Sequence, residues 1–169
     1  MFASAVVPVR YPSPEEIEEA LCILGMDPLD VRCAYCGDSK SEWDHLRPLV
    51  LKRRPTGYIS EIANLVPSCG KCNQSKGNND WRDWIISTKK KRSPTARGIA
   101  GVARRIERLD AYEHWRIPTK IDFMSILGPD VWESYWSECE GVIAEMMRCE
   151  EIANALRGKI IAQLGGSHK

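Results

Sequence analysis

Apolar residues at helical spacing mark both ends of this chain, and a different pattern fills the middle. Ile17, Ala20, Leu21 and Leu24 fall on one face of a helix. Its start is written in Ser13-Pro14-Glu15-Glu16: a capping serine, a proline at the first helical position and a glutamate placed to close a capping box. Gly25 supplies the stop. Met1 to Pro12 show no period and read as an extended lead-in. Ser93-Pro94 repeats the serine-proline start, after which Ile99, Val102, Ile106 and Leu109 share one side of a helical wheel and Arg97, Arg104 and Arg108 gather opposite. Gly128-Pro129-Asp130 with Glu133 opens a last helix, whose three-or-four spacing runs from Trp132 and Trp136 through Met146 and Leu156 to Gly165-Gly166. Gly158 leaves open whether it is one helix or two.

Between the first two helices the period shortens. Glu42 to Pro48 reads as a strand, Ile62 to Val66 as its return, and Gly70 to Trp84 as a helix, with Lys52-Arg53-Arg54-Pro55-Thr56-Gly57 as a basic turn. This divides the chain into a lead-in and helix at 1–30, a central core at 31–88 and a helical region at 89–169. Trp81 and Trp84, three apart on a helix, suit a core or a base-stacking platform. Part of the Trp- and Met-rich C-terminal stripe reads either as core or as a dimer seam.

Charge is balanced overall, 24 basic residues against 23 acidic, but it is distributed unevenly. Thr88 to Arg108 holds eight basic residues (Lys89, Lys90, Lys91, Arg92, Arg97, Arg104, Arg105, Arg108) and one acid, Glu107; Asp110 to Glu151 holds ten acids and three bases. The basic stretch is either a solvated face or a phosphate contact. No apolar run reaches the roughly 20 residues that cross a bilayer, and the N-terminus lacks a charged region before its apolar patch, so a cytoplasmic protein away from membranes is expected.

Four of the seven cysteines form two C-x-x-C pairs, Cys33/Cys36 and Cys69/Cys72. An odd count with this pairing suits metal ligation in a reducing compartment better than disulfides. Four thiolates in two turns favour tetrahedral Zn²⁺, in a closed structural site with no open position for water. Cys22, Cys139 and Cys149 fall at apolar positions of helical patterns and read as core. The segment looped out between the pairs carries Asp44-His45 and Asn64, and Asn73 follows Cys72 directly. A carboxylate and an amide oxygen are hard ligands that suit Mg²⁺ or Mn²⁺.

Together, Cys33-x-x-Cys36, Asp44-His45, Asn64, Cys69-x-x-Cys72-Asn73 and Lys76-Gly77 resemble the HNH endonuclease motif, in the variant with asparagine in place of a last histidine. The resemblance covers about 50 of the 169 residues. It implies an α+β fold: a ββα-metal (HNH, His-Me finger) core, stapled by the four-cysteine zinc site and flanked by helices on both sides. It implies His45 as general base, Asp44 and Asn73 as ligands of the catalytic ion, and Asn64 as the loop residue that holds the ββ connection and orients the histidine. Gly77 stands where three-histidine members place a further ligand, which favours Mg²⁺ or Mn²⁺ over a soft metal. Arg47, Lys52, Arg53, Arg54, Lys71 and Lys76 surround the motif as candidates to clamp DNA phosphates, joined by Lys89, Lys90, Lys91, Arg92, Arg97, Arg104 and Arg108. The expected function is a DNA endonuclease leaving 5′-phosphate and 3′-hydroxyl ends, as a homodimeric restriction-type enzyme or a phage or mobile-element nuclease. The alternative is a zinc module that binds nucleic acid without cutting it.

Overall fold

The computed structural model describes residues 2–165 and divides into two compact units, the first ending at Ile121 and the second beginning at Asp122. The first unit holds helices α1 (Phe2–Ala5), α2 (Pro14–Ile23), α3 (Gly70–Lys76), α4 (Trp81–Ile85) and α5 (Val102–Trp115). Its strands are β1 (Glu42–His45), β2 (Val50–Leu51), β3 (Arg54–Pro55) and β4 (Leu65–Ser68), with a 3-10 turn at Ile62–Asn64 before β4. The second unit holds α6 (Phe123–Leu127) and α7 (Pro129–Gly165).

Strands β1 and β4 pair antiparallel, with Asp44 opposite Val66 and His45 opposite Leu65, and α3 follows β4 after one residue. This is the expected ββα unit. Between its strands β2 and β3 form a small hairpin, and its tip, Lys52-Arg53, takes the left-handed conformation at both positions (φ 49° and 67°), the geometry of a tight two-residue turn. The N-terminal segment is less extended than its composition suggests, since Phe2–Ala5 forms a short helix. Beyond it, Val9 bridges Ser60 in parallel.

At α2 the capping box forms as read: the Glu16 amide donates to the Ser13 hydroxyl and the Glu16 carboxylate accepts from the Ser13 amide. Two other expectations are corrected. The helix expected over 70–84 breaks after Lys76, because Gly77 takes positive φ and Asp80 starts a new helix by accepting from the Arg82 and Asp83 amides. Ser93 does cap a turn, through the Ala96 amide, but Gly98 and Gly101 both adopt positive φ, so α5 begins only at Val102.

The core of the first unit gathers Leu24 at the C-cap of α2, Tyr35 and Leu46, Val66 from β4, Trp81 and Trp84 from α4, and Leu109 and Tyr112 from α5, around the four cysteines. Trp81 and Trp84 are therefore core residues and present no stacking surface. Tyr112 donates to the carbonyl of Leu65 at 2.8 Å, tying α5 to β4. With Leu109 and Tyr112, α5 completes the core of the first unit, which runs on to Ile121. In the second unit Phe123 stacks on Trp132 at 4.9 Å, and α7 continues unbroken past Gly158 to Gly165; Gly166 lies outside the described residues. Cys139 is buried as expected, whereas Cys22 and Cys149 are exposed.

Candidate active site

The Cys33–Cys36 turn lies alongside β4, where the Ala34 amide donates to the carbonyl of Pro67, and the second pair opens α3, with Cys69 as its cap. All four sulfurs lie within 4.8 Å of one another, and all four residues are buried. Such crowding suits thiolates only around a cation. Hydrogen bonds from Cys36 and Cys72 hold the Cys33 thiol far below its ordinary range, and the bond that Cys36 makes to Cys33, with burial and the charge at Cys33, pushes Cys36 up to about 12. A four-sulfur donor set of this kind fits Zn²⁺. Arg97 reaches it from outside, donating to the Cys72 sulfur at 3.6 Å and pairing with Asp38 at 3.3 Å.

Asp44, His45, Asn73, Gly77 and Asn78 line one cleft of about 280 Å³, closed on its other side by Ser4, Pro48, Leu49 and Val50. Three of the four residues singled out between and beside the cysteines thus meet at one surface. The strand supplies Asp44 and His45, and α3 supplies Asn73, one residue beyond Cys72 of the four-cysteine cluster. Asn64 is not in the cleft. It is fully buried, accepts from the Arg47 amide at 2.8 Å and donates to the Arg47 carbonyl at 3.0 Å. Its amide therefore clamps the backbone two residues past His45 and does not touch the imidazole. The side-chain partner of His45 is Ser60, whose hydroxyl lies 2.8 Å from Nε2. Ser60 is held in turn by the N-terminal segment, through the Arg10 amide to its carbonyl and its own amide to Pro8.

Asp44 is almost fully buried. The Tyr35 phenol donates to Oδ2 at 2.6 Å, and the Lys76 ammonium lies 3.0 Å from Oδ2 and 3.3 Å from Oδ1. Lys76 donates also to the carbonyls of His45 and Gly77. Burial pushes the Asp44 carboxyl above its usual range, with Lys76 and Tyr35 pulling the other way. Burial also holds His45 down, helped by the charge of Lys76, to about 4. The imidazole is therefore neutral at neutral pH and able to accept a proton.

Lys76 does not contact DNA phosphate as expected from the sequence: it is completely enclosed and acts as the internal counter-ion of Asp44. Replacing it with methionine should leave a buried carboxylate without its cation and cost about 3–5 kcal/mol of stability, measured by urea unfolding. Asp44→Asn/Lys76→Met should regain most of that loss, and a cost for the single variant below about 1 kcal/mol would contradict this assignment.

Other candidate phosphate contacts also sort by burial. Arg47 turns onto α5 and pairs with Glu113 at 2.9 Å, Arg97 serves the cysteine cluster, and Arg108 packs along Gly25, so these three are engaged within the unit. Arg54 is half-buried in β3. Lys52, Arg53, Lys71, Lys89, Lys90, Lys91, Arg92 and Arg104 are exposed, and the outward arginine stripe expected on α5 reduces to Arg104. Tyr35, Ser60 and Lys76 are the site residues that sequence reasoning missed or misassigned. A lysine three residues after Asn73 was visible, but nothing local marks it as buried.

Residues 33–79 match the model of the HNH endonuclease family. This segment is an HNH endonuclease domain, built as a ββα unit on a four-cysteine cluster. Over 88 residues, half of this chain, the sequence is 36% identical to the CRISPR-associated endonuclease Cas9 of Corynebacterium diphtheriae, and the chain spans about 7% of that protein's length. No solved structure matches the chain. Among the described residues no helix is long and apolar enough to cross a membrane.

Proposed function

We propose that the chain is a metal-dependent DNA endonuclease in which His45 is the general base. The carrying observation is that a half-buried, neutral imidazole, a carboxylate and an amide oxygen line one cleft within the HNH domain. Asp44 and Asn73 would hold the catalytic ion. They fit Mg²⁺ or Mn²⁺, since both are hard oxygen donors and Oδ1 of Asp44 carries, among the described residues, one long contact, to Lys76. When bound, that ion supplies positive charge against the phosphate and the departing 3′ oxygen.

The chain's own residues do the rest. Backbone clamping by Asn64 and the Ser60 hydroxyl fix the His45 ring, and the ring nitrogen not bonded to Ser60 takes the proton from the attacking water. Lys76 cancels the charge of Asp44, so two protein ligands alone bind a divalent ion weakly and substrate phosphate completes the site. The cysteine cluster, holding Zn²⁺, keeps Asn73 in place through Cys72. Exposed Lys52, Arg53 and Lys71, with Lys89 to Arg92, bind the flanking phosphates. One cleft cuts one strand, so cutting both at once takes two copies of the chain, as a homodimeric restriction-type enzyme would use. Four reduced thiols at a structural zinc suit the cytoplasm.

The test is cleavage of plasmid DNA in Mg²⁺ or Mn²⁺, abolished by EDTA, followed across pH. The active form is neutral His45, and its pKa lies near 4 and not 6.5, so the rate should persist as pH falls through 6.5 and drop only on approach to about 4. Asp44, whose own pKa is raised, gains its proton on the same descent and steepens it. An acid limb centred at or above 6.5 would contradict the burial argument.

A further inference from the structure

Helix α7 carries an apolar line that its own unit leaves uncovered. At its start the line is closed by α6, where Phe123 stacks on Trp132 and Cys139 is buried. From Val142 onward it continues through Met146, Cys149, Ala153, Leu156 and Ile160 in alternating steps of four and three residues, and all six are exposed. Val142 is 47% exposed, Met146 64%, Leu156 54% and Ile160 57%. Counted from Trp132 through Trp136 and Cys139 to Ile160, the line takes eight steps over 28 residues, a mean of 3.5, which is the seam period of a supercoiled helix pair, whereas a stripe that follows a straight helix averages 3.6. The helix is 37 residues long, about 55 Å, and more than half of it lies beyond α6 with this seam open.

Charge along the helix indicates what fits the seam. Pro129 to Glu151 holds seven acids (Asp130, Glu133, Glu138, Glu140, Glu145, Glu150, Glu151) and one base, Arg148; Ile152 to Gly165 holds Arg157 and Lys159 and no acid. The positions flanking the seam follow the same polarity, Glu145 and Glu150 toward the start, Arg157 and Lys159 toward the end. Two copies side by side in the same direction would set Glu145 against Glu150 of the partner subunit. Reversed, the acidic half of each helix meets the basic half of the other. The helix is complementary to itself in that order, in both apolar period and charge.

We propose that α7 pairs with α7 of a second copy of this chain as an antiparallel two-stranded coiled coil, with Val142 to Ile160 as its seam. The association rests on α7 alone and not on the nuclease reading, so its test needs no cleavage assay.

Sedimentation equilibrium of the full chain should give twice the 19.1 kDa chain mass at high concentration, with reversible dissociation on dilution. Leu156→Glu puts a charge in the seam at a position exposed in the single chain, and should weaken the dimer at least ~100-fold, with the near-ultraviolet signal of the first unit retained. Glu145→Lys/Glu150→Lys should weaken it roughly tenfold, and adding Arg157→Glu/Lys159→Glu should restore it. A single 19.1 kDa species at every concentration overturns the proposal, as does a dimer that Leu156→Glu leaves intact. A dimer strengthened by the Glu145/Glu150 reversal, or not restored by the second pair, overturns the antiparallel order.

Discussion

His45→Ala should lower the rate of DNA cleavage by about 10²- to 10⁴-fold, the usual contribution of a positioned general base, while DNA affinity stays unchanged. The imidazole lies on the edge of the cleft, with Nε2 bonded to Ser60 at 2.8 Å, so its removal takes away the proton acceptor without disturbing the core. Exposed lysines and arginines elsewhere on the unit supply the phosphate contacts, which is why binding should persist. Single-turnover cleavage and fluorescence anisotropy in EDTA separate the two quantities. Equal cutting by the variant would remove His45 from the reaction, and a parallel loss of affinity would make it a binding residue.

Stripping zinc with a strong chelator, or Cys72→Ser, should unfold the first unit. Four-thiolate sites contribute apparent binding energies of roughly 10–16 kcal/mol, comparable to or larger than the whole stability of a small domain. Here the effect reaches far, because the four cysteines are themselves part of the core: they pack with Tyr35, Trp81 and Trp84, and the Tyr35 phenol in turn holds Asp44. Without the ion, four crowded thiols would face one another in a buried cluster. The measurable outcome is loss of the near-ultraviolet circular dichroism of these aromatics together with a rise in protease sensitivity. Retention of the aromatic signal in metal-free protein would show that the sheet and α3 hold without the clasp.

How much of this was readable from residues alone depends on the range of the interaction. Ser13-Pro14-Glu15-Glu16 fixes the start of α2 through neighbours three residues apart, and the structure follows it. The two C-x-x-C turns, the start of β1 at Glu42 and the start of α3 at Gly70 are equally local and equally legible. The end of α3 was not, because the helix reads on from Gly70 to Trp84 and only the positive φ that Gly77 adopts in the fold reveals the break. In α5 the same competition occurs at Gly98 and Gly101.

Side-chain roles fail for a different reason. Lys76 and Arg47 are basic residues beside a nuclease motif, and such residues ordinarily face phosphate. Their actual partners, Asp44 and Glu113, are brought to them only by the fold. Asn64 reads as the loop residue that orients the histidine, but in the 3-10 turn before β4 its partner is the backbone at Arg47, and the bond to the imidazole belongs to Ser60, a serine with no pattern around it. Cys22 and Cys149 kept helical spacing, yet they lie exposed.

The central claim is that the cleft of Asp44, His45 and Asn73 hydrolyses DNA to 5′-phosphate and 3′-hydroxyl ends. It is tested most directly by nicking supercoiled plasmid in Mn²⁺ or Mg²⁺, removing the protein and offering the product to DNA ligase. Nicks that ligase reseals without prior phosphatase or kinase treatment, and that are absent with His45→Ala, are the predicted result. Breaks that ligase cannot seal, or that form equally with the variant, would contradict it.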